Sequence, residues 1–125
     1  MGLRQALAAF FAAWEDRYTV EKRGMELLRA HLSPTQRAQF NALGCFEVTG
    51  SDSGNRYLIK NTSQINVEQL GSDGKCVHKW CFGPVGSLVQ GDFLLAQKFA
   101  LECFEGEALE QAHRYPPYSQ TTPRR

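Results

Sequence analysis

Apolar residues recur at helical spacing as far as Gly44 and at every second position beyond it, and this change of period confines the chain to a mixture of helices and sheet. Between residues 45 and 82 the alternation predicts strands at Cys45 to Thr49, Arg56 to Asn61, Ile65 to Leu70 and Lys75 to Phe82. The connections Gly50-Ser51-Asp52-Ser53-Gly54, Asn61-Thr62-Ser63 and Gly71-Ser72-Asp73-Gly74 are rich in turn formers, so the four strands are expected to follow one another as an antiparallel meander. Gly83-Pro84-Val85-Gly86 is expected to end the sheet.

Helices are expected on both sides. From Leu3 to Leu32 there is no proline, and Leu7, Phe11, Trp14, Tyr18, Met25, Leu28 and Leu32 follow three-four spacing with Glu21 as the polar interruption. Gly24 is a candidate kink or break. Ser33-Pro34-Thr35-Gln36 combines an N-cap, a proline suited to the first turn and a glutamine able to reach back to the cap amide. The short helix it starts should bury Phe40 and Leu43 and stop at Gly44. Asp92 could cap a third helix carrying Phe93, Leu94, Ala96, Ala100, Leu101 and Phe104, with another turn or two over Glu107 to His113.

The expected fold is therefore α+β, a four-stranded antiparallel meander flanked by a long N-terminal helix, a short capped helix and a C-terminal covering helix. It divides into a helical segment 1–32, a core 33–106 and a short helical extension with a Pro-rich basic tail, 107–125. A length of 125 residues fits one domain, and an apolar fraction of 42% supplies its core. The apolar run at the N-terminus ends at Trp14-Glu15-Asp16, short of the roughly 20 residues a bilayer span needs. Ala6 stands where a myristoylation signal wants Ser or Thr. A cytoplasmic protein is the expectation, with Cys45, Cys76, Cys81 and Cys103 as reduced core thiols and no cofactor.

Four groups of residues could carry chemistry. Cys76, His78 and Cys81 are zinc-ligand types, but strict alternation would put Cys76 and His78 on one face and Cys81 on the other, so no metal site is expected. No nucleophile elbow, phosphate loop or His-Glu-x-x-His pair is present, and the carboxylate pairs Glu15-Asp16 and Glu102 with Glu105 read as solvated helix faces, so no enzyme is expected. Arg56, Lys60, Lys75 and Lys79 on the sheet, with Arg124 and Arg125 in the tail, make nucleic-acid binding the alternative function, although a net charge of +1 does not favour it. Alternation sets Arg56, Leu58 and Lys60 on one face and Tyr57 with Ile59 on the other.

The first helix differs, because its N-terminal half is apolar nearly all round and such a helix must be covered. It either folds back into its own core or meets another protein or a second copy. The leading expectation is a non-enzymatic protein-binding or assembly module using Leu7, Phe10, Phe11 and Trp14. Finally, Leu32-Ser33-Pro34-Thr35-Gln36, Arg56-Tyr57-Leu58-Ile59, Asn66-Val67, Cys81-x-x-Pro84 and Asp92-x-x-Leu95-Ala96-Gln97-Lys98-x-x-x-Leu101-Glu102 together resemble a pattern in small uncharacterised bacterial and phage α+β domains. The resemblance spans about residues 30 to 105 and implies a recurring compact domain with no residue role attached.

Overall fold

The computed structural model describes residues 2–82 and 89–120, together with the backbone of residues 122 and 123. The expected sheet breaker at 83–86, including Pro84 of the resemblance, and the tail cations Arg124 and Arg125 lie outside the described residues. Among the described residues three helices, α1 (Leu3–His31), α2 (Pro34–Leu43) and α3 (Gln90–Gln111), accompany an antiparallel sheet, so the class is α+β.

The meander is present as β1 (Cys45–Thr49), β2 (Arg56–Lys60), β4 (Val67–Leu70) and β5 (Cys76–Cys81), but the sheet has a fifth strand. Strand β6 (His113–Tyr115) adds to the edge of β5, giving the order β1-β2-β4-β5-β6. Its three exposed residues carry no alternation that a periodicity argument could detect; backbone pairing with β5 makes them a strand. A short separate pairing joins β3 (Thr62–Ser63) to β7 (Thr122–Pro123).

Alternation works as expected on β1 and β2, where Phe46, Val48, Tyr57 and Ile59 point inward. Helix α3 covers this face with Leu94 and Leu101, and α2 closes the β1 side with Phe40, which meets Phe46 edge to face. The cap of α2 forms as its sequence implies, with Ser33 Oγ accepting from the Gln36 amide at 3.1 Å and Gln36 Oε1 accepting from the Ser33 amide at 3.0 Å. Ser33→Ala should lower stability by about 1 kcal/mol in urea denaturation. Leu43, expected to be buried, is exposed: the inward side of α2 is Gln36 and Phe40, four residues apart, and Leu43 is the last residue before the left-handed Gly44.

Polar groups also reach the interior. Asn66 and Gln97 exchange two 2.8 Å hydrogen bonds and tie the sheet to α3, satisfying both amides away from water. The Gln36 side-chain amide donates to the Glu47 carbonyl while Gln39 accepts from the Glu47 amide, so α2 occupies the outer hydrogen-bonding edge of β1.

Gly24 does not break α1, which is continuous through it. The glycine serves packing instead. A Cβ added at Gly91 would lie 2.2 Å from the Gly24 carbonyl carbon and oxygen, so α1 and the first turn of α3 cross backbone to backbone at this point. Glu21 Oε2 also accepts from the Gln90 amide at the start of α3. Helix α3 begins at Gln90, two residues before the expected Asp92, and these contacts fix the direction of α1.

Candidate functional site

That direction carries the first part of α1 away from the body. Every residue from Leu3 to Val20 is exposed, a helical arm of about 27 Å at 1.5 Å per residue. The apolar stripe on it is the one that enters the core further on: Leu28 and Leu32 are 0% and 4% exposed, whereas Leu7, Phe11, Trp14 and Tyr18 are 48%, 56%, 58% and 57% exposed. One stripe thus has a covered end and an uncovered end, because α3 starts at Gln90 and no other described element runs alongside the arm.

The residues singled out from the sequence, Leu7, Phe10, Phe11 and Trp14, all lie on this arm, with Leu3 and Tyr18 extending their surface. Phe10 and Phe11 meet edge to face, and Trp14 and Tyr18 stack with ring centroids 5.6 Å apart. The signal for Tyr18 was already in the three-four series. Among the described residues the arm does not fold back on its own core.

The cations on the sheet have a different setting. Arg56, Lys60 and Lys79 share the face opposite the core, and each has a carboxylate partner: Arg56 with Glu47 at 3.4 Å, Lys60 with Glu68 at 2.7 Å, Lys79 with Glu68 at 3.6 Å. Lys79 also donates to the Ser119 carbonyl, placing the segment after β6 against this face. Lys75 sits apart in an exposed turn. Tyr57 is buried on the inner face, and Trp80, whose indole donates to Gln69, packs against the core.

The cysteines depart from the expected arrangement. Cys45, Cys76 and Cys81 are half-buried and Cys103 is exposed, so none is a core residue. A bulge on β5 pairs Gln69 with His78 but Leu70 with Cys76, leaving Val77 as the extra residue. Cys76 therefore joins Lys79 and Cys81 on the outer face while His78 turns inward, whereas uninterrupted alternation would keep Cys76 on the face of His78. Burial pushes the thiols of Cys45, Cys76 and Cys81 up, away from the lowered values that activate a nucleophilic cysteine. Among the described residues no group of three His, Cys, Asp or Glu side chains is placed to hold a metal ion.

Glu105, expected on a solvated helix face, is 2% exposed. The β1–β2 loop closes over its carboxylate, which accepts from the Asp52 and Ser53 amides at 2.9 and 2.8 Å, Ser53 Oγ at 2.6 Å and the Tyr57 hydroxyl at 2.5 Å. The same loop serves a kink in α3 at Phe104, where Ser51 Oγ accepts from the Glu105 amide and Asp52 Oδ2 from the Gly106 amide. Burial opposes ionisation of Glu105, but the donors from Ser53, Tyr57 and Asp52 outweigh it and hold the carboxyl below its ordinary range. Every donor around it belongs to the fold itself, so this cluster splices loop to helix.

No helix among the described residues is long and apolar enough to cross a membrane. No protein-family model matches the chain, and neither does any curated protein or solved structure.

Proposed function

We propose that the protein is a non-enzymatic protein-binding or assembly module whose α+β body holds the arm of α1 out to meet an apolar helical face of another chain. The observation that supports this is the single stripe on α1, buried at Leu28 and Leu32 and uncovered from Leu3 to Tyr18. Uncovered aromatics in a contiguous row mark interaction surfaces rather than ordinary solvent-facing helix. Gly24 and Gly91 hold the arm at a set angle by close backbone packing, so less freedom is lost on docking than for a loose tail.

Changing Phe11 and Trp14 together to aspartate tests the reading. Because both side chains are exposed, the far-UV circular dichroism and melting temperature should stay within a few degrees of the parent, while association measured by light scattering or pull-down of the full chain is lost. A variant that unfolds, or one that associates as before, would show that the stripe belongs to the core or to no interface. The nucleic-acid alternative has in its favour only the shared face of Arg56, Lys60 and Lys79, whose charges are already met by Glu47 and Glu68.

A further inference from the structure

The uncovered stripe has an internal symmetry that an arbitrary partner would not require. Leu3, Leu7, Phe10, Phe11, Trp14 and Tyr18 follow one another in steps of four, three, one, three and four residues, so the row reads the same in both directions about the point between Phe10 and Phe11. An antiparallel two-fold pairing of identical helices requires this match of the row with its own reversal, since each contact must recur with the partners exchanged. We propose that the arm pairs with the arm of a second copy, antiparallel, about a two-fold axis at Phe10 and Phe11; this rests on the reading of the arm as a docking element.

The side chains fit that arrangement. Turning one arm end for end sets Leu3 of one copy against Tyr18 of the other and Leu7 against Trp14, a small residue opposite a large one on either side of the central phenylalanines. A parallel pair in register would set Trp14 against Trp14 and Leu7 against Leu7, leaving alternate bulges and gaps. Charge agrees: Arg4 and Glu15 lie on one flank of the stripe, 11 positions apart at 100° per turn step, and end-for-end pairing brings Arg4 of each copy beside Glu15 of the other. Parallel pairing would set this flank against the opposite one and would not bring Arg4 beside Glu15.

Length and area are also sufficient. The overlap runs from residue 3 to residue 18 and ends just before Glu21, where α1 meets α3, so the paired stretch lies within the uncovered part of the helix. Four half-exposed aromatics and two leucines offer on the order of 600 Å2 per copy, and two copies about 1,200 Å2, where stable interfaces begin.

The test uses the full chain in sedimentation equilibrium across micromolar concentrations. The parent should show a two-copy mass, and Phe11→Asp, which keeps its circular dichroism because Phe11 is exposed, should weaken dimerisation at least about thirty-fold. Arg4→Glu and Glu15→Arg should each weaken it about two- to five-fold and, combined in one chain, restore it. In a Cys103→Ser background, oxidising a mixture of Leu3→Cys and Tyr18→Cys chains should yield the mixed disulfide in preference to either symmetric one. Preference for the symmetric disulfides would overturn the antiparallel arrangement. A chain that stays monomeric would overturn the second copy altogether. If that monomer still captures another protein through a Phe11-dependent contact, the docking arm survives without self-pairing; if it instead sediments with vesicles of phosphatidylcholine and phosphatidylserine, or engages nothing, both readings fall.

Discussion

Glu105→Ala should lower the unfolding free energy by about 3–5 kcal/mol and the melting temperature by more than about 10 °C. The substitution leaves the Asp52 and Ser53 amides and the Ser53 and Tyr57 hydroxyls without their acceptor, and Gly50, whose close approach to the carboxylate leaves no room for a Cβ, would face a void. Glu105→Gln, which keeps the volume and one oxygen, should be milder. Chemical denaturation of both variants would check the order.

The same network sets a pH dependence. The folded-state pKa of Glu105 is lowered, so its contribution is present above the ordinary carboxylate range near pH 4.5 and is lost as pH falls through the folded value. Tyr57 is shifted the other way: burial, reinforced by its hydrogen bond to Glu105, raises its pKa, so stability should also fall above about pH 10, where phenols of the unfolded chain ionise. The stability profile of Glu105→Gln should lack this part of the parent's acid slope, and that of Tyr57→Phe should lack the alkaline fall. Profiles parallel to the parent would mean that the network does not govern either limb.

Gly91→Ala is the second large effect, with an expected loss of about 3 kcal/mol or more. The new methyl would occupy the space of the Gly24 carbonyl, and rigid backbone cannot yield as a side chain can, so α1 and α3 must separate. Gly24→Ala makes a useful contrast. Its Cβ would press on Val89 Cγ2 at 2.7 Å, a side-chain end that can move, and alanine favours helix by about 1 kcal/mol over glycine, so its net cost should be much smaller. Equal losses from the two substitutions would show that backbone contact is not what limits the crossing.

Several elements were legible from neighbouring residues alone. The α2 cap was visible in Ser33-Pro34-Thr35-Gln36 because a capping box is built within four residues. The faces of β1 and β2 followed from alternation, and the arm's apolar surface followed from its helical period. The misreadings have one cause in common. Local spacing does not show that Glu105 is enclosed, because its partners lie near residues 52 and 57, nor the face of Cys76, because the bulge at Val77 depends on how β5 meets β4. Gly24 looked like a break because its reason, Gly91, is far along the chain.

The period change at Gly44 thus determined the class, the order of the meander and the presence of an apolar stripe on α1, since each depends on spacing within one segment. Only the tertiary structure decided that β6 completes the sheet, that Glu105 is enclosed, and that the stripe is covered at Leu28 but bare at Trp14. The physical reason is that amphipathicity states that a surface is apolar, while what covers it depends on where a distant element, here α3, begins.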